Sequence, residues 1–175
     1  MNIFITRLHN GPIADHPELK ECYEVAEGEG FIELPLYANS DMSISDFQLS
    51  KQFDGSFAGC TNGSCVIIPF PTGMGSRYDR YLVDEPRAFR NVKSILNIVD
   101  AGLLAESLKD EETVSIMNLA DAVIVGNAEV KRVLDSKETI KLRRVYRESK
   151  RQESMETQYL ILKAFYDAIV IVKNS

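Results

Sequence analysis

Histidine and cysteine are scarce in this sequence, two and three among 175 residues, and both histidines lie in one early loop. Cys22, Cys60 and Cys65 are odd in number and form no Cys-x-x-Cys pair, so neither a disulfide framework nor a metal site is expected. A reducing, cytoplasmic setting fits that usage. Neither Gly-x-Gly-x-x-Gly nor Gly-x-x-x-x-Gly-Lys-[Ser/Thr] is present, which removes the backbone cradles of ordinary dinucleotide and P-loop phosphate binding. A Gly-x-Ser-x-Gly elbow is missing too, and a Ser-His-Asp or Cys-His hydrolase has little to build on; His9 and His16 read as ordinary loop residues. The amino terminus lacks a basic segment followed by an apolar one, and no apolar run approaches the roughly 18 residues of a membrane span. The chain is therefore expected to be neither secreted nor membrane-spanning. Its net charge of -6 argues against a nucleic-acid partner held by a broad basic face.

What is there suits one domain, with 45% hydrophobic residues and enough length to bury a core. The stretch Leu119 to Val130 is the most informative. Ala122 to Val125 is a short, β-branched apolar run without polar alternation, the pattern of a strand covered on both faces. Gly126-Asn127 ends it, and Asn127 can cap a helix over Ala128 to Leu134. A buried strand feeding a helix through a two-residue turn is half of a βαβ unit, and ligands gather at that carboxyl edge in open α/β sheets.

The rest of the chain repeats the theme. Asn2 to Thr6 reads as a strand, and Pro17 opens a helix with Leu19, Cys22, Tyr23 and Ala26 inside and five glutamates, Glu18 to Glu29, on a solvated face. Phe31 to Tyr37 is a second strand, which Pro35 assigns to an edge or an end. Ser43 to Phe57 has Ile44, Phe47, Phe53 and Phe57 at helical intervals, and Cys65 to Pro69 is a third strand. Arg77 to Phe89 begins as a helix that Pro86 is expected to break or kink. Val92 to Val99 is the fourth strand, ending at the turn Asp100-Ala101-Gly102, and Glu111 to Leu119 is a helix. The order is that of a doubly wound parallel α/β sheet. From Lys141 to Arg151 six bases face one acid, a local +5; a solvated edge strand and connector is the safer reading over a phosphate or acidic-partner site. Met155 to Val172 carries Tyr159, Leu162, Phe165, Tyr166, Ile169 and Val170 as an amphipathic helix, packed on the sheet or on a second subunit.

Four loops then converge on one sheet edge: Arg7 to Asn10, Thr72 to Arg77, Asp100 to Leu103, and Gly126-Asn127. Asp100 is the best carboxylate for general-base or hydrogen-bonding work, and equally a cap or turn former. The glycines of the Phe70 to Ser76 loop, Gly73 among them, permit close approach to a ligand and are as common in surface turns.

Ser50-Lys51-Gln52-Phe53-Asp54-Gly55-Ser56-Phe57-Ala58-Gly59, the strand ending Pro69-Phe70-Pro71-Thr72, and Ala120-Asp121-Ala122-Val123-Ile124-Val125 together resemble the amino-terminal half of GT-B glycosyltransferases. The nearest subgroup is the glucosyltransferases that extend O-linked N-acetylglucosamine on streptococcal serine-rich repeat adhesins, related to bacterial galactofuranosyltransferases. The resemblance covers about residues 1–137, leaving 138–152 as a basic edge strand or connector and 153–175 as a helix packed on the same domain. It implies a single Rossmann-like sheet on the acceptor side of a cleft; set in it, the converging loops give Asp100 as the catalytic candidate and Arg7, Asn10, Thr72, Gly73, Arg77 and Asn127 as acceptor-binding candidates. The family's fourth strand tends to end in His-Asp; the matching residues here are Val99 and Asp100, without the imidazole. The chain is also too short for the nucleotide-sugar domain, and Met155 to Val172 is similar to the helix that returns to the amino-terminal domain in complete members. The expected function is binding of a glycan or glycopeptide acceptor, with no cofactor in this chain and a nucleotide sugar only where a partner supplies the donor half. The alternative is a non-catalytic, oligomeric or partner-binding module derived from such an enzyme; an unrelated small-molecule α/β enzyme is a distant third.

Overall fold

The apolar runs become a single parallel sheet in the computed structural model, which describes residues 2–37, 43–147 and 154–175. In chain order the elements are β1 (Ile3–Leu8), α1 (Pro17–Glu29), β2 (Ile32–Leu36), α2 (Asp46–Ser56), β3 (Cys65–Pro69), α3 (Ser76–Arg90), β4 (Lys93–Ile98), α4 (Ala101–Ser107), α5 (Glu111–Met117), β5 (Ala122–Val125), α6 (Ala128–Asp135), β6 (Arg143–Tyr146) and α7 (Ser154–Lys173). The strand order is β2-β1-β3-β4-β5-β6, every neighbouring pair parallel. The chain winds one way from β1 to β2 and the other way from β2 onward, the doubly wound arrangement. Strands β3 and β5 are buried at every position because helices cover both faces. Pro35 lies in β2 at one edge, where its missing N–H costs no ladder bond, and the basic β6 forms the other.

Helix α1 packs against β1 and α7, while α2, α3 and α5 pack side by side and α6 lies on β5. One helix cannot cover six strands. Helix α7 fills the remainder of its face over β4, β5 and β6, burying Ile161, Ala164, Phe165, Ala168, Ile169 and Val172.

Several details differ from expectation. Helix α2 buries Leu49 and Phe53 and leaves Phe47 74% exposed, because the helix starts at Asp46 behind a Ser45–Gln48 capping box and Phe47 falls on the outer side of that first turn. Helix α3 runs unbroken through Pro86 to Arg90, with Leu82, Val83 and Glu85 buried around it. The residues read as a turn at Asp100-Ala101-Gly102 instead start α4. On α7 the exposed members Tyr159, Tyr166 and Val170 flank the core stripe, which the alanines help to make. The expected connector overlaps 148–153, and Lys150 and Arg151 lie outside the described residues. Among the described residues no helix is long and apolar enough to cross a membrane.

Candidate functional site

A parallel sheet sends the carboxyl ends of β1, β3, β4 and β5 to one edge, so the loops after them meet there. Two glycines allow the approach. A Cβ on Gly126 would stand 2.5 Å from the Ile98 carbonyl, where the ends of β4 and β5 close on each other. A Cβ on Gly73 would stand 2.7 Å from Pro12 Cβ, and its φ of +85° is left-handed. The close approach at Gly73 is thus between the β1–α1 and β3–α3 loops.

Asp100 sits at the tip of β4 as the N-cap of α4. Its Oδ1 accepts the Leu103 N–H at 2.9 Å, which leaves Oδ2 for other work. Facing Oδ2 at 3.9 Å is Nε2 of His16. His16 is itself the N-cap of α1, and its Nδ1 accepts the Glu18 N–H at 3.3 Å. An imidazole thus faces Asp100 from the β1–α1 loop. His16, read as an ordinary loop residue, is placed by the structure as the cap of α1 facing Asp100, whereas His9 stacks on Tyr37 with ring centroids 4.9 Å apart.

Glu18 extends the cluster. Asn127 uses Oδ1 to accept the Val130 N–H as the cap of α6, and donates Nδ2 to the Val99 carbonyl at 2.8 Å and to both Glu18 oxygens at 3.4 Å. Arg147, just past β6 and only 12% exposed, holds Nη1 3.9 Å from Glu18 Oε2. That nitrogen is buried without a hydrogen-bond partner among the described residues. Asp100, His16, Glu18 and Asn127 thus form a ring of neighbouring caps across three helix starts, closed through the Val99 carbonyl, with Arg147 beside Glu18. Glu18 belonged by periodicity to the solvated face of α1, from which its contacts with Asn127 and Arg147 now separate it.

The other sequence-predicted residues take different places. Thr72 is fully buried: its hydroxyl donates to Asp79 Oδ1 at 2.5 Å and accepts the Met74 N–H, so it shapes its own loop. Burial pushes Asp79 up to about 7, against hydrogen bonds from Thr72 that pull it down. Arg77 pairs with Asp46 at 2.8 Å and donates to the Ile44 carbonyl, tying α3 to the start of α2. Arg7 pairs with Glu33 at 3.2 Å and lies over Tyr23. Asn10 is exposed on the β1–α1 loop. Of the seven predicted residues, Asn127 is tied to the strand end that carries Asp100, through the Val99 carbonyl.

Chemically, the ring offers one half-exposed carboxylate beside an imidazole, and a second carboxylate held by an amide and a guanidinium. Such groups suit hydroxyls, which donate and accept at once. Thiol chemistry is disfavoured, because burial pushes Cys22, Cys60 and Cys65 each to about 11. Among the described residues no group of three or more His, Cys, Asp or Glu could hold a metal ion.

Comparison with known proteins relates the chain to a family and to a named relative. The family model described as "Glucosyltransferase 3-like, N-terminal domain" matches residues 2–148. A protein of Streptococcus parasanguinis named "Glucosyltransferase 3" is 30% identical over 130 residues, which is 71% of this chain and 39% of that relative. The chain therefore matches well under half of the relative's length.

Proposed function

The chain belongs to the family of glucosyltransferase 3-like N-terminal domains, and from that membership we propose that it is the acceptor-side half of a GT-B-type glucosyltransferase, binding a glycan or glycopeptide acceptor. The observation that carries the reading is Asp100 at the tip of β4, with one oxygen fixed by the Leu103 N–H and the other turned to His16. A carboxylate so held orients an acceptor hydroxyl. Where a second domain or partner presents a nucleotide sugar, Asp100 takes the hydroxyl proton as the oxygen bonds to the anomeric carbon and the nucleoside diphosphate leaves. Asn127 serves the acceptor indirectly, by holding Glu18 at the same edge.

Calorimetry with a synthetic peptide bearing serine-linked N-acetylglucosamine tests this. Binding is expected for the native chain and at least tenfold weaker binding for Asp100→Ala. An absence of heat with the native chain at millimolar glycopeptide sinks the reading.

A second reading, that the domain acts as an interaction module, is favoured by one feature. A groove of about 360 Å³ between α1 and α7 is lined by Glu24, Val25, Glu29, Tyr159 and Leu162, and α7 also exposes Tyr166 and Val170.

A further inference from the structure

We propose that His16 is the positioning residue of this site: His16 Nε2 and Asp100 Oδ2 hold one ligand hydroxyl between them, the imidazole donating to the hydroxyl oxygen and the carboxylate accepting its hydrogen. The proposal rests on the acceptor-binding reading and adds to it the group that fixes the hydroxyl's direction.

The proton's place on the ring follows from α1. The Glu18 N–H donates to Nδ1, so Nδ1 carries the lone pair and the neutral imidazole has its hydrogen on Nε2. Nε2 is the nitrogen that faces Asp100. A donor and a carboxylate oxygen 3.9 Å apart are too far for a direct hydrogen bond. A hydroxyl oxygen about 2.8 Å from each closes a triangle over that gap, receiving one hydrogen bond and giving one. Both side chains are partly exposed, His16 at 23% and Asp100 at 35%, so the gap opens to solvent at the strand ends.

The gap also selects its occupant. An ether oxygen there could accept from His16 but would leave Asp100 facing a lone pair. A carboxylate or phosphate there would meet the like charge of Asp100. The fitting ligand is an uncharged one with a free hydroxyl, which is the character of a neutral sugar. Because His16 and Asp100 are caps of two different helices, their separation is set by the packing of the β1–α1 loop against the end of β4, and neither side chain needs to reorder on binding.

His16→Asn separates the two duties of this residue. Asparagine is a strong N-cap, so α1 remains capped, but its shorter side chain carries no donor at the Nε2 position. The expected result is an unfolding midpoint equal to or above that of the native chain, with affinity for the glycopeptide at least tenfold lower. In an Asp100→Ala background the same change should lower affinity by less than about threefold, since the hydroxyl has already lost one of its two partners. Affinity of His16→Asn within twofold of native overturns this proposal and leaves acceptor binding standing. If the native chain binds no glycopeptide, both fall. Should His16→Asn fail to fold, nitrogen-15 spectra of the native chain decide: the Nε2–H tautomer is expected for His16, with Nε2 shifting on glycopeptide addition, and an Nδ1–H tautomer or an unmoved Nε2 overturns the assignment.

Discussion

Asp79 is 4% exposed, and both its oxygens turn to Thr72, so a carboxyl group is held in the wall of the β3–α3 loop with hydrogen bonds in place of solvent. Its carboxyl is raised from 3.8 to about 7 in the folded state, so that state binds the proton more tightly than the unfolded chain does. The contribution of Asp79 is therefore most favourable below about pH 4, declines as pH rises toward about 7, and is constant above. The decline is at most about 1.4 kcal/mol per pH unit. Asp79→Asn keeps an acceptor for the Thr72 N–H and removes the titration. Urea unfolding of both chains from pH 4.5 to 8 should show native stability, measured relative to the variant, falling with pH; a flat difference would contradict a buried, hard-to-ionise Asp79. At this scale the sequence was legible where chemistry is local. Asn127 could be read as a cap because it follows an apolar run and precedes its own helix, whereas Asp100 read equally as a cap or a turn former, the helix it starts being hidden. His16 could not be paired with Asp100, since their separation is created by the sheet and no spacing between positions 16 and 100 encodes it. Thr72 carried no sign that Asp79, seven residues on, would consume its hydroxyl.

Among the elements, α7 has most to lose by truncation of a side chain. Phe165 is 1% exposed and packs against Phe31, ring centroids 5.8 Å apart. Phe165→Ala should cost about 3–5 kcal/mol in urea unfolding, as removal of a buried ring does. Tyr159→Ala, 63% exposed on the same helix, should stay within about 0.5 kcal/mol. A similar cost for both would place the core on the wrong side of α7. The sequence showed that this helix is amphipathic but put Tyr159, Tyr166 and Val170 in the packed stripe, where the structure exposes them, because Ala164 and Ala168 look neutral until seen beneath the sheet. Strands β1 to β5 were legible from short apolar runs bounded by glycine and polar turns. Helix α4 was not, being seven residues long with Gly102 at its second position. Pro86 misled because a proline removes one helical hydrogen bond, a loss the burial of Leu82 and Val83 on the same helix outweighs.

Taken whole, the molecule has unequal faces. Helices α2, α3 and α5 pack together as one layer, whereas the opposite face is shared by α1 and α7, with an open groove between them. That groove is where the interaction-module reading becomes testable. Under it, sedimentation equilibrium of the native chain at micromolar concentration shows self-association, which Tyr159→Glu with Val170→Glu reduces to monomer without loss of secondary structure. A native monomer that binds glycopeptide removes that reading and leaves the acceptor-side half alone. The doubly wound architecture was legible from the order of elements, since alternating strands and helices have few right-handed solutions. The groove was not, because it depends on how far apart two helices lie on a sheet.

The position of α7 in the chain has a consequence for synthesis. Strands β4, β5 and β6 leave the ribosome before the helix that covers them, so a nascent chain carrying the whole sheet still presents bare Ile, Leu and Val side chains on one side. Sheet assembly and face closure are thus separated in time by the translation of α7, at about 5–20 residues per second. During that interval the half-clad domain is a natural client for a chaperone that grips apolar surface, and slow codons over residues 154–175 would lengthen its exposure.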